Sequence, residues 1–185
     1  MKTKSALLTV LTIVMVSCFG SKDFLVESDY SYSGNFKKYK TYGFIDQQRF
    51  GLDSLIAEDL IIRSIKNRMS MLGYEHTYNK PNLIISFRFY YSDFMFKGWE
   101  QPEIELWLEE KGYIDEKFDE IKYRLQEGTL MIWLVDRKRS KAVWQGYNSG
   151  LIDTNSLNNE RFIRGCVRTI FDKYRVFPDG YIKES

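Results

Sequence analysis

The chain has 185 residues, 44% of them hydrophobic and 16% aromatic, enough to bury one core of ordinary globular composition. Of its 27 basic residues, Lys2 and Lys4 are the only charges before Cys18, and without them 25 basic residues face 25 acidic ones. That balance lacks the positive excess on which counterion-release binding depends, so a nucleic-acid partner is not expected.

The chain opens on an address. Met1-Lys-Thr-Lys is a basic start, and Ala6 to Val16 is an apolar run broken only by Thr9 and Thr12. At about 11 residues it is too short for a spanning helix, which needs roughly 20, and it reads as a secretory signal peptide. The run closes as Met15-Val16-Ser17-Cys18, which resembles the lipobox of bacterial lipoproteins, with Met15 in place of the usual Leu. The resemblance implies cleavage before Cys18, lipidation there, and a mature chain held to a membrane by several acyl chains. Residues 1–17 are then the leader, 18–23 a lipidated tether and 24–185 a single domain. Phe19 rather than Asp after the cysteine favours the outer membrane, facing the periplasm, by the sorting habit of enteric lipoproteins.

From Val26 to Tyr32, alternation of Val26, Ser28, Tyr30 and Tyr32 with Glu27, Asp29 and Ser31 reads as a half-buried strand. Gly34-Asn35 breaks it, and Tyr39 to Ile45 starts a second extended segment. Leu52, Leu55, Ile56, Leu60, Ile62, Ile65, Met69 and Leu72 then recur at helical spacing, with Asp53 placed to cap the start and Gly73 to make the left-handed turn at the end. Leu83, Ile85, Phe87, Phe89 and Tyr91 predict a strand after the loop at Pro81.

Ser92 to Lys122 is the least regular part. Beyond it, Thr129 to Val135 is apolar on both alternating faces, which suits a central strand covered on both sides. After the polar turn Arg137-Lys-Arg-Ser-Lys, an antiparallel partner points Val143, Gln145 and Tyr147 one way and Trp144 the other. Tyr123 and Leu125 extend this hairpin backwards. The last helix is capped among Ser156 to Asn159, carries Phe162, Ile163, Cys166, Val167, Ile170, Phe171 and Tyr174, and is stopped by Phe177-Pro178. Gly165 within it costs about 1 kcal/mol relative to Ala and suggests a close approach to the sheet. The order of elements predicts an α+β fold: a two-layer sandwich in which a mixed, largely antiparallel sheet carries two helices on one face.

Asp29-Tyr30, the run Phe36-Lys-Lys-Tyr-Lys-Thr-Tyr-Gly-Phe44, Leu72-Gly73-Tyr74, Pro81-Asn82-Leu83-Ile84-Ile85, Glu127-Gly128-Thr129-Leu130 with Asp136, Val143-Trp144-Gln145-Gly146 and Phe177-Pro178 together resemble the bacterial lipoprotein family called domain of unknown function 4136. The resemblance covers essentially the whole mature chain and implies an envelope lipoprotein with an α/β domain. It brings no catalytic residue. Asn82 stands where the family often has Asp, and the excursion after Ser92 is acidic and Trp-containing where relatives are rich in Gly and Tyr.

No residue set points to a reaction, a metal or a cofactor. His76, the one histidine, lies in a helix-to-strand turn and is read as exposed. Cys166 lies on an apolar helix face and reads as core. The basic hairpin tip, Arg137, Lys138, Arg139 and Lys141, reads as a solvated turn, with contact to anionic lipid or polymer as the functional alternative. From Glu100 to Glu120 there are nine carboxylates interleaved with Trp107, Tyr113 and Phe118, in no spacing that glycoside hydrolysis or calcium binding demands. The expectation is therefore a lipid-anchored, non-enzymatic structural or interaction module. The alternative is a receptor for a glycan, peptide or small molecule, or for an envelope protein, using the 93–122 excursion and contacting it through Trp99 and Trp107. A hydrolase using carboxylates of the same excursion is the third reading.

Overall fold

A computed structural model describes residues 25–45, 55–110, 118–150 and 154–178. The leader, Cys18, the tether and the cap at Asp53 lie outside the described residues. Eight strands and three helices follow in the order β1 (Leu25–Tyr30), β2 (Thr41–Phe44), α1 (Leu55–Met71), β3 (Glu75–His76), β4 (Leu83–Tyr90), β5 (Phe94–Trp99), α2 (Ile104–Glu109), β6 (Glu120–Leu125), β7 (Thr129–Asp136), β8 (Lys141–Ser149) and α3 (Glu160–Phe171). Six strands form one sheet in the order β1-β8-β7-β4-β2-β3, while β5 and β6 form a separate hairpin. The main sheet is antiparallel except where β2 runs parallel to both β3 and β4, as the crossover through α1 requires. This is the expected mixed α+β fold.

The central hairpin is where the sequence places it, with Ile132 opposite Gly146 and Leu134 opposite Trp144. Leu130, Ile132 and Leu134 join Trp144, Ile163, Val167, Ile170 and Phe171 in the main core. Met131 and Tyr147, from the same two strands, join Leu125 in a second cluster with Phe94, Phe96 and Tyr123 packed against it. Apolarity on both faces of β7 thus has a cause: helices cover one face and the β5–β6 hairpin the other. Gly146 belongs to this packing, since a Cβ there would lie 2.4 Å from the Trp144 ring and 2.8 Å from Ile170.

Several boundaries and faces differ from the reading of the sequence. Tyr123 and Leu125 do not extend the central hairpin; they sit in β6, which pairs with β5 along Glu120–Leu125 and is separate from the main sheet. Of the 93–122 segment, residues 111–117 lie outside the described residues. The described part runs over one face of the main sheet as β5, crosses the free edge of β1 at Gln101 and Pro102, and reaches the other face as α2. In α1 the buried side is Ala57, Leu60, Ile61, Ile65 and Met69, and Ile56 is 64% exposed, because three consecutive apolar residues at 60–62 leave the inner face ambiguous by spacing alone. Gly73 adopts the expected positive φ of 89°, and the Asn159 side chain caps α3 by accepting from the Phe162 N–H. That helix ends at Phe171, ahead of Phe177-Pro178, where Lys173 and Tyr174 N–H groups bond back to Ile170 and Phe171 carbonyls and tighten the last turn. Gly165 makes no close approach, since a Cβ there would meet nothing within 4 Å.

Candidate functional site

Of the two tryptophans expected to contact a ligand, one is part of the core. Trp107 is 1% exposed, because Ile104, Trp107 and Leu108 share one side of the short helix α2 and press against the strand layer. Its ring lies 5.3 Å from those of Tyr30 and Tyr32 and 6.2 Å from Phe36. Trp107 therefore holds the excursion to the domain, as a core residue rather than an exposed contact. Trp99 stays half-exposed at the end of β5, edge-on to Phe118 at 4.8 Å with Lys97 Nζ 4.7 Å above its ring. Trp99, Phe118 and Tyr32, with Asp29, Gln101 and Gln145 beneath, line a groove of about 430 Å³.

The Asp29 carboxylate and the Gln101 and Gln145 amides of that groove are occupied by the fold. Asp29 accepts from the Trp99 backbone N–H through Oδ1 and from Gln145 Nε2 through Oδ2, each at 2.9 Å, while Gln145 Oε1 takes the Trp133 indole N–H. Burial pushes the Asp29 carboxyl upward, and the Gln145 and Trp99 hydrogen bonds only partly offset it. Gln101 donates to the Tyr30 carbonyl and accepts from the Tyr30 N–H, both at 2.9 Å. What faces outward is aromatic ring.

The remaining single residues resolve individually. Cys166 is buried, and burial pushes its thiol up to about 12, far from the thiolate character that reactivity needs. His76 is half-buried in the edge strand β3 rather than exposed, with its ring 5.3 Å from Tyr42 and 4.8 Å from Tyr78. Burial, then the Lys66 charge, lowers its pKa. Among the described residues no group of three or more His, Cys, Asp or Glu side chains is gathered as a metal site.

A second place emerges that no single motif announces. Three of the segments named above, Phe36–Phe44, Pro81–Leu83 and Asp136, meet at one end of the sheet. Asn82 Oδ1 accepts from the Lys40 and Thr41 N–H groups and from Thr41 Oγ1. Tyr39 donates its hydroxyl to Asp136 Oδ2 at 2.8 Å, and the Arg139 N–H reaches Oδ1 at 3.0 Å. Burial opposes ionisation of Asp136, but the hydrogen bonds from Tyr39, Arg139 and Lys138 and the Arg139 charge prevail and hold its carboxyl below the usual value. Between these segments lies a cleft, also of about 430 Å³, whose rim includes Lys38, Arg137, Lys138 and Arg139. Asn82 fills the bridging place because its carbonyl oxygen is an acceptor like a carboxylate.

The chain belongs to the family described as Domain of unknown function (DUF4136), which matches residues 26–174. Its fold is similar to that of a crystallised DUF4136 family protein from Bacteroides thetaiotaomicron, with a TM-score of 0.53 and 19% identity over 83% of this chain and 96% of that one. A PDZ domain protein from Parabacteroides distasonis is matched at a TM-score of 0.49 and 18% identity over 94% of this chain and 40% of that one. A PelC dodecamer from Paraburkholderia phytofirmans is matched at 0.46 and 6%, over 83% of this chain and 98% of that one. No protein of curated function matches the chain significantly.

Proposed function

We propose that the protein is a lipid-anchored, non-enzymatic module of the cell envelope, carried on Cys18 at the outer membrane and facing the periplasm, that captures a glycan in the Trp99 groove. One observation carries the binding reading: Trp99, Phe118 and Tyr32 line an open groove whose carboxylate and amides are already hydrogen-bonded within the fold. Ring faces beside an already engaged carboxylate and amides suit the C–H faces of sugar rings, and they leave no acid, base or nucleophile poised for transfer. The signal-like leader and lipobox-like Met15-Val16-Ser17-Cys18 support the anchor.

The test is retention on immobilised polysaccharide prepared from the envelope of the source cells. Trp99→Ala is expected to reduce retention about tenfold or more, the weight of an aromatic anchor at a binding surface, with a melting temperature within a few degrees of wild type. Unchanged retention, or retention of neither protein, overturns the groove as a glycan site.

A further inference from the structure

We infer that the cleft at the Asp136 end of the sheet binds a phosphoryl-class anion, a site that shares no lining residue with the neighbouring Trp99 groove. Four cations, Lys38, Arg137, Lys138 and Arg139, line a cavity whose one carboxylate, Asp136, is itself 6% exposed. Asp136 is already held by Tyr39, the Arg139 N–H and, at 3.8 Å, the Arg139 guanidinium. The wall thus carries a surplus of positive charge.

Arg137 is braced against a neutral atom, and Arg139 between a neutral atom and the Asp136 carboxylate. Arg137 Nε donates to the Pro81 carbonyl at 2.8 Å, and Arg139 donates to the Ser33 carbonyl. Carbonyl bracing fixes the direction of a guanidinium without cancelling its charge, and it leaves terminal N–H donors over for a ligand. Lys38 and Lys138 are exposed and make no ion pair among the described residues. Gathering like charges costs energy in the free protein, and a tetrahedral dianion reverses that cost by pairing with the Arg137 guanidinium and two ammonium groups at once. A cavity of this volume admits a pyrophosphate or a phosphorylated sugar. A solvated hairpin tip would need neither the cavity nor the bracing.

Position separates this cleft from the chain's N-terminal end. Leu83 pairs with Asp136 at the cleft end of the sheet, whereas Leu25 pairs with Ser149 at the other. The phosphoryl group could arrive on a lipid headgroup or on a soluble or polymeric carrier, and the same chemistry serves both.

The probe is pyrophosphate, titrated calorimetrically at low salt into the full chain held in neutral detergent. Lys38→Ala with Lys138→Ala, which removes two exposed side chains and keeps the Lys138 backbone contact to Asp136, is expected to weaken binding about tenfold or more. The charge-matched pair Lys122→Ala with Arg161→Ala, exposed on β6 and α3 and outside the cleft, is expected to stay within about twofold, because only screened long-range attraction is lost. Phosphatidylcholine vesicles with and without phosphatidylglycerol then compete with pyrophosphate: competition by the anionic vesicles alone identifies a headgroup source, and no competition identifies a soluble or polymeric one. No binding to the wild-type chain overturns the inference. Equal loss in both double variants does so as well, because net charge would then account for the effect.

Discussion

Asp136 shows how a single carboxylate can organise three segments. Its two oxygens take Tyr39 from the first loop and Arg139 from the hairpin turn, so the network depends on the ionised form. Its folded pKa lies below the ordinary 3.8; the stability it contributes is therefore present above the unfolded value and is lost as pH falls through the folded one. Asp136→Asn is expected to cost about 1.5–3 kcal/mol at neutral pH, the range for hydrogen bonds to a charged group. In urea melts the gap to wild type should close as pH drops below about 4; a gap that persists unchanged in acid would show that the charge contributes nothing. Trp107 shows why one residue was misread from sequence. Its neighbours Glu103, Glu105, Glu109 and Glu110 suggest a surface run, and the apolar side formed by Ile104, Trp107 and Leu108 is legible only once the six-residue helix is known, a span too short for a periodicity reading.

At the scale of elements, long patterns were legible and short ones were not. Strand β4 alternates over eight residues and helix α3 repeats over twelve, and both stand where the sequence puts them. Strands β5 and β6 alternate too, Phe94 and Phe96 against Met95 and Lys97, Ile121 and Tyr123 against Lys122 and Arg124, but each spans only six residues. Their pairing depends on contacts across a separation of some 25 residues. The candidate site suffered most, because both clefts are made where distant segments meet. The excursion also solves a problem of the sheet, since β1 is an edge strand and an uncovered edge invites pairing with another chain. Gln101 closes it by giving the Tyr30 backbone both a donor and an acceptor, in place of a neighbouring strand. Gln101→Ala is expected to cost about 1–2 kcal/mol and to raise self-association in sedimentation at high concentration. Unchanged stability together with an unchanged sedimentation profile would show that the edge is protected by something other than this amide.

At the scale of the whole molecule, the layers set a direction. Leu25 opens β1 beside Ser149, at the end of the sheet opposite the Asp136 cleft. Strand β7 has eight residues, so about 25 Å of sheet separates the two ends. Leu25 follows Cys18 by seven residues, a reach of at most about 25 Å when extended. Under the anchored reading this short lead brings the Leu25 end toward the bilayer and leaves the basic cleft facing away from it, while the Trp99 groove lies at the side near the β1 edge. No helix among the described residues is long and apolar enough to cross a membrane, so attachment in this reading rests on acyl chains at Cys18. Metabolic labelling with a palmitate analogue should mark the wild-type protein and fail for Cys18→Ala, and that variant should leave the membrane fraction, because several acyl chains at about 0.8 kcal/mol per buried methylene supply the attachment. Labelling that survives in Cys18→Ala would remove the anchor, and with it the orientation that points the cleft into the periplasm.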